Sequence, residues 1–489
     1  MPTMVAVITS LKNSLSLNVF LPNRSQLIGH NMNANVDYKH PAYSEFLPEW
    51  DMIGDCVDGE RVVKSKKEKY LPHPADKKDA DDKDNSRYKS YLARASFLNA
   101  TGRTLSGLLG IAFGKPVKIS VSGGVEYLET DIDGQGQPLT QMIRDALSQN
   151  LQRGRAGLLS DFSGSGIQSE ANKGRPYIRL FTAKEIINWR VTNGKTRLVV
   201  LKYQEPIDSD DFELQMQSNW IELRLIDDVA HSRLWYEDGG AKVTDWVVLS
   251  DASGNPLNEL PWSWIGAMNN DHTPDAPPLA DIAYVNIKHY QAEADIAESA
   301  HTVGQPMVAL TGLTDDWVKN HLADGFTVGS RKGVLLPVGG DMKFAQPEDR
   351  NIQITLAERR EKQMAMLGAK LVERGTSART ATQAQDEAQT DNSVLSLCAG
   401  NVEQAFNRAL GFCIQFAGSG DATIELNKVY DIAQLDSQAI TALLAALQSG
   451  AMRMIDFVKY LQSINIIPQD EKAEDVIEEI ELSRASSMM

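Results

Sequence analysis

Three cysteines in 489 residues, Cys56, Cys398 and Cys413, are too few and too scattered for a cross-linked framework. No C-x-x-C pair exists, which excludes a zinc ribbon or finger as well as a disulfide scaffold, and the thiols read as free and buried. No run of eighteen apolar residues is present, so no bilayer-spanning helix is expected and a membrane is not among the partners. The apolar patch from Met4 to Ile8 lacks the basic start and cleavage site of a secretory leader, which points to a reducing cytoplasm as the place of synthesis. Positive charge is also short. The formal net charge is −16, whereas a surface that wraps duplex DNA tightly clusters Lys and Arg on the phosphates. An acidic chain can still form a surface that DNA slides past.

Catalytic signatures are missing too. There is no G-x-S-x-G elbow, no H-E-x-x-H, no dinucleotide glycine fingerprint and no Ser/His/Asp grouping. Gly110, Gly114 and Lys115 are one residue too close for a phosphate loop, and Pro116 stands where Ser or Thr must hold magnesium. His289 and His301 are twelve residues apart on one helical run, about three turns, too far to share a metal. Asp76, Asp79, Asp81, Asp82 and Asp84 alternate with lysines, which reads as a solvated loop or helix entry rather than a cation cage. Asp227 and Asp228, with His231 in what reads as a turn, are the remaining candidates for a nuclease centre. The residues by themselves describe a large, acidic, non-catalytic assembly protein with no cofactor and no metal.

Hydrophobic content of 42% and charged content of 23% are ordinary for globular chains, and the length predicts two to four subdomains. Residues 1 to about 35 have no sustained period, so a flexible arm and a partner-binding strand are both open. Leu98, Leu105, Leu108, Leu109 and Ala112 recur at helical spacing until Gly110, Gly114 and Pro116 stop the helix. A helix over 140–152 precedes a buried strand over 156–162. Two β-rich runs flank Asn193-Gly194, the strongest short hairpin signal, and an antiparallel meander continues to residue 249, closing with the run 260–265.

Sheet then gives way to helix. The run 279–303 keeps a sparse apolar stripe, Leu279, Ile282, Val285, His289 or Tyr290, Ile296 and Ala300, among Asp281, Glu293, Asp295 and Glu298. So thin a stripe cannot hold a lone helix; it suits packing between neighbours in a bundle or ring. A mixed segment with a short helix near Asp315 and strands over 326–328 and 333–338 follows, then a second long helix over 351–371. Residues 374–382 are small, polar and basic, a loop by composition. Residues 383–417 read as helix, 422–426 as strand, and 432–447, 452–461 and 473–481 as helices.

The block from Tyr88 to Pro116, Tyr-x2-Tyr-Leu-x-Arg-Ala-x-Phe-x-Asn-x-Thr-x-Arg-Thr-x2-Gly-Leu-x-Gly-x2-Phe-x-Lys-Pro, resembles the signature of one subfamily of tailed-bacteriophage portal proteins. Tyr70-Leu71-Pro72, Gly154-Arg155-x-Gly157 with Asp161, Leu260-Pro261, Pro278-Leu279-x-Asp281, Gln305-Pro306, Val429-Tyr430-Asp431, Gly450 and Ile466-Ile467-Pro468 are similar to the same proteins. The likeness runs from about residue 37 to 481.

The resemblance implies an α+β portal-type subunit. Residues 1–36 are an arm outside it, 37–277 a wing of antiparallel sheet and helices, 278–304 and 349–372 two stem helices, and 305–348 a small α/β clip. Residues 373–382 are then a tunnel loop, 383–431 a long helix and strand returning to the wing, and 432–489 a helical crown with an acidic tail. It further implies a ring of copies, a dodecamer in the family's usual manner, at one vertex of the virion capsid, assembled in the host bacterial cytoplasm. The terminase large subunit would drive double-stranded DNA through it without sequence preference. Head-completion, adaptor or tail proteins would dock on it, and major capsid and scaffolding proteins would surround it. An acidic stem repels phosphate and lowers friction on moving DNA. Lys288, Glu293, Asp295 and Glu298 are the channel-facing candidates. Arg374, Ser377, Arg379 and Thr380 are the candidates for tunnel-loop DNA contact, the two arginines alternatively capping helix ends or pairing with Glu373 and Glu387. Asp315, Asp316, Trp317, Lys319 and Lys332 face the clip's partners or form an ordinary solvated helix face. A DNA-processing nuclease at Asp227 and a scaffold or adaptor that forms no ring are the competing functions.

Overall fold

The computed structural model describes residues 35–74, 85–163, 174–207, 212–237, 240–303, 307–321, 336–345, 352–372, 393–428, 430, 452–463, 472, 474 and 477. It is an α+β fold with antiparallel sheets. Two compact units divide the chain, Met1–Lys428 and Val429–Met489.

The first helix, α1 (Pro41–Asp58), has no counterpart in the sequence reading. Pro48 sits inside it and reads as a breaker, since it donates no hydrogen bond and crowds the preceding turn. The helix survives because its apolar face is buried: Tyr43, Trp50, Met52, Ile53 and Cys56 all point inward. His40 caps it, Nδ1 accepting from the Ala42 amide at 3.2 Å. α2 (Glu60–Ser65) follows after Gly59.

The Tyr88–Pro116 block is two helices rather than one. α3 (Ser86–Arg94) ends in extended backbone at Ala95, and α4 (Ala100–Ala112) starts afresh under Asn99, whose Oδ1 accepts from the Gly102 amide at 2.8 Å. A side chain that bonds its own backbone competes with helix continuation, and here it sets a boundary. Gly110 lies inside α4 and does not stop it. Strand β1 (Lys118–Ser122) leads to α5 (Leu139–Arg153), which ends at left-handed Gly154, φ 62°.

Strands β2 (Arg155–Ser163), β3 (Arg175–Thr182), β4 (Ile186–Thr192), β5 (Lys195–Pro206), β6 (Met216–Ile226), β7 (Val229–Glu237), β8 (Ala241–Val243), β9 (Val247–Val248) and β10 (Trp262–Gly266) make two sheets. β4 to β8 form the expected meander, with β9 also paired to β7. Asn193 (φ 54°) and Gly194 (φ 73°) make its first hairpin turn, as the dipeptide predicts. β10 does not close the meander. It pairs with β2 in a separate sheet ordered β10-β2-β3.

α6 (Ala280–Val303) begins the second half of this unit. β11 (Met307–Thr311), α7 (Asp315–His321) and β12 (Asp341–Ala345) form the insert, and α8 (Ile352–Lys370) returns from it. The insert's ribbon is β11 on β12, from Met307 opposite Ala345 to Thr311 opposite Asp341. Of the expected strand over 333–338, the described residues 336–338 are loop and turn, and the strand over 326–328 lies outside the described residues. α9 (Val394–Ala417) packs on β2, β3, β10 and α5, and β13 (Asp421–Glu425) pairs with β1. In the second unit α10 (Met454–Ser463) buries Val458 among Met454, Ile455 and Ile477. The helix expected over 432–447 lies outside the described residues.

The main core joins the meander to β2, β3 and β10 through Phe181, Trp189, Trp220, Trp235, Trp262 and Trp264. All three cysteines are buried and free, and burial pushes each thiol up to about 12. A buried thiol above the working pH is a poor nucleophile. Native protein is therefore expected to react with a thiol reagent at neutral pH only on the unfolding timescale, and three thiols should titrate promptly in denaturant. Prompt reaction of any one in the native state contradicts this placement.

Candidate functional site: an antiparallel helix pair

Pro277 and Pro278 precede α6, where a missing amide proton costs nothing, and the Leu279 amide is tied to the Leu151 carbonyl at 3.3 Å. Alanines at 283, 292 and 294 let neighbouring helices approach closely, and Ile282, Ile287 and Tyr290 fill the inner face. Asn286 is fully buried. Its Oδ1 accepts from the Thr101 amide (3.1 Å) and hydroxyl (2.9 Å), and its Nδ2 donates to the Leu98 carbonyl at 2.8 Å, which fastens α6 to the start of α4.

α8 lies antiparallel against α6. The Ser299 hydroxyl donates to Gln353 Oε1 at 3.2 Å, the Arg360 Nη1 donates to the Lys288 carbonyl at 2.7 Å, and His289 Nε2 sits 3.3 Å from Glu361 Oε1. On α8 only Ala357 and Met364 are buried. Ile352, Ile354, Leu356 and Met366 are exposed at 69%, 42%, 41% and 52%, a large apolar exposure for one helix.

Of the four residues expected to face the channel, Lys288 and Asp295 are exposed on one stripe of α6, and Glu298 is half-buried about 80° from Lys288 at 100° per residue. Glu293 stands about 140° around the helix from Lys288 at 100° per residue, half-buried and 3.8 Å from His289 Nε2. Asp295 accepts from the Tyr91 hydroxyl at 2.7 Å, and Glu298 pairs with Arg94. Burial, then the Asp295 carboxylate, push the Tyr91 phenol well above its ordinary range. Tyr91 and Arg94 are three residues apart, as are Asp295 and Glu298, so one turn of α3 meets one turn of α6. The sequence reading missed this tie. Lys288 is exposed, its Nζ 3.4 Å from Gln291 Oε1.

On the insert, Asp315, Asp316 and Lys319 are exposed and Trp317 is half-buried, all on α7, which Thr314 starts by accepting the Val318 amide at 3.0 Å. Lys332 and the tunnel-loop candidates Arg374, Ser377, Arg379 and Thr380 lie outside the described residues. Asp227 (φ 51°) and Asp228 (φ 59°) form the tight turn between β6 and β7, and Asp228 is held by Arg197 at 2.9 Å and Lys195 at 3.7 Å. His231 belongs to β7, opposite Arg224, not to a turn. Among the described residues no group of three or more His, Cys, Asp or Glu converges as a metal site, and no helix is long and apolar enough to cross a membrane.

A cleft of about 770 Å³ opens beside the core, lined by Lys195, Glu259, Trp262, Trp264, His272 and Arg408 among others. Next to it Arg155, 1% exposed, lies between Trp189 and Trp264, its guanidinium carbon 4.1 and 4.3 Å from the two ring centres. Burial pulls this guanidinium down to about 9, against the pull of Asp271 and Asp275. The cation is a packing member of the sheet-to-sheet core, with Nη1 donating to the His272 carbonyl at 2.9 Å.

A family model described as a domain of unknown function (DUF4055) matches residues 278–417, which begin two residues before α6 and end with α9. No curated protein matches the chain. A chain in the neck of an empty GTA particle is similar at 15% identity and a TM-score of 0.38, over 79% of this chain and 96% of its own. A chain from the virion of a native gene transfer agent (GTA) particle is similar at 14% identity and a TM-score of 0.36, over 84% of this chain and 99% of its own.

Proposed function

We propose that this chain is a portal-type structural protein: copies form a ring at a capsid vertex through which double-stranded DNA is packaged and later released. The observation that carries the reading is the helix pair. Two helices of 24 and 19 residues run antiparallel, an insert of ribbon and short helix interrupts them at one end, and the second leaves four large apolar side chains to solvent. A single copy has no reason to expose that much apolar surface on one helix; a ring that covers it does. The Tyr88–Pro116 block, which resembles portal proteins, supports the same reading from a different part of the chain. So does the way its residues grip α6, through Tyr91, Arg94 and Thr101. The role is a conduit and docking platform, not catalysis, and the exposed α7 side of the insert is the platform's natural contact for the terminase motor or an adaptor.

The test is direct. Purified full-length protein at micromolar concentration is expected to give annular particles in negative stain. A uniform monomer across the accessible concentration range contradicts the reading.

A further inference from the structure

Resting on the ring reading, we infer that the interface between copies is heterologous, with the outward stripe of α8 in one copy lying on the outward stripe of α6 in the next. On α8, Ile352, Leu356, Arg359, Gln363, Met366 and Lys370 recur at spacings of four and three, the interval of a helix-to-helix seam. All are exposed except half-buried Gln363, and they occupy a flank that α6 of the same copy does not cover. On α6, Asp281, Tyr284, Lys288, Asp295 and Ser299 make the corresponding exposed stripe, with Tyr284 at 50%.

Charge divides between the two helices. α6 carries Asp281, Glu293, Asp295 and Glu298 against Lys288, while α8 carries Arg359, Arg360, Lys362 and Lys370 against Glu358 and Glu361. A helix with surplus acid and one with surplus base attract each other across an interface and repel their own kind, which selects α8-on-α6 over α6-on-α6 or α8-on-α8 contact.

Level matters as much as sign. Within one copy Ser299 meets Gln353, His289 meets Glu361 and the Lys288 carbonyl meets Arg360. That register, continued along both helices, sets Tyr284 level with Met366, Asp281 within one residue of Lys370, Lys288 within one of Gln363, and Ser299 within one of Ile352. Asp295 falls beside Leu356, one turn from Arg359. A rotation about an axis running along the helix pair keeps these levels when it carries one copy onto the next. The facing groups are then a carboxylate and an ammonium at one end, a phenol and a thioether beside them, and a second carboxylate near a guanidinium towards the other end.

The experiment reads ring formation of full-length protein by light scattering and negative stain. Lys370→Asp, Asp281→Lys and Met366→Glu are each expected to raise the concentration needed for half-assembly about tenfold or more. Asp281→Lys combined with Lys370→Asp is expected to return it to within about threefold of the original protein. All the altered positions are exposed, so the thermal transition of the unassembled chains should stay in place. Undiminished rings from all three single variants overturn this interface and leave the ring reading standing. Loss in the singles that the double variant does not repair overturns the Asp281–Lys370 pairing. Absence of rings from the unaltered protein overturns both.

Discussion

Asn286→Leu is expected to be among the most destabilising single changes in the helix region, lowering the unfolding free energy by about 3–4 kcal/mol. The replacement keeps the number of side-chain heavy atoms and the branch point, so no cavity forms and the loss is chiefly one of hydrogen bonding. Two donors lose their acceptor at once, the Thr101 amide and the Thr101 hydroxyl, and the Leu98 carbonyl is left with the Ala100 amide. Thr101 is fully buried, so its two donors have no water to turn to, and an unpaired buried donor costs about 1–3 kcal/mol. The Leu98 carbonyl is nearer the surface and adds less. Thr101→Val removes only the hydroxyl partner while leaving Asn286 Oδ1 on the amide, and is expected to cost about 1 kcal/mol. Urea unfolding of the two variants checks the ordering; Asn286→Leu no worse than Thr101→Val would sink the account.

That bond also marks where sequence reasoning reaches and where it stops. The 3.6-residue period over α6 and α8 was legible, because it persists through many turns and needs no knowledge of a partner. The meander was legible for the opposite reason: Asn193-Gly194 carries its turn geometry in two residues. β10 misled because Trp262, Ser263, Trp264, Ile265 and Gly266 are all buried, so no alternation reveals its faces and only tertiary contact assigns it to β2. α1 was hidden by Pro48, and the α3–α4 break by a capping side chain whose effect exceeds the local period. In the helix pair the acids were visible as charges, but not their fate. Tyr91 and Asp295 are separated by 204 positions, and nothing local at either end announces the other. Charge along α6 did not reveal that Glu293 lies beside His289 or that Asp295 and Glu298 meet α3, and period alone did not tell the apolar side chains that α8 leaves exposed from core positions.

Gly157→Ala is expected to cost about 3 kcal/mol or more, although alanine is a small change in a strand. Gly157 stands in β2 between Trp264 on β10 and Phe181 on β3, and the six-membered ring of Trp262 lies directly over its Cα. A methyl group there falls well inside the normal carbon–carbon contact distance of about 3.5–4 Å. The indole has nowhere to go. Trp262 is 2% exposed and wedged edge-on against Trp264, with ring centres 5.1 Å apart at 84°, and against Phe181 at 6.1 Å. Cores at crystal-like density pass such a displacement on rather than absorb it. This gives the Gly154-Arg155-x-Gly157 stretch a physical reason: Gly154 turns the helix end, Arg155 fills the slot between Trp189 and Trp264, and Gly157 makes room for Trp262. The claim is separable from a general loss of strand propensity by a double-mutant cycle. Trp262→Phe removes the part of the ring that collides and should by itself cost about 2–3 kcal/mol through the volume it vacates. In that background Gly157→Ala should cost under about 1 kcal/mol, giving a coupling of about 2 kcal/mol or more by urea unfolding of the four proteins. Additive costs would mean that the glycine is there for its backbone and not for the indole above it.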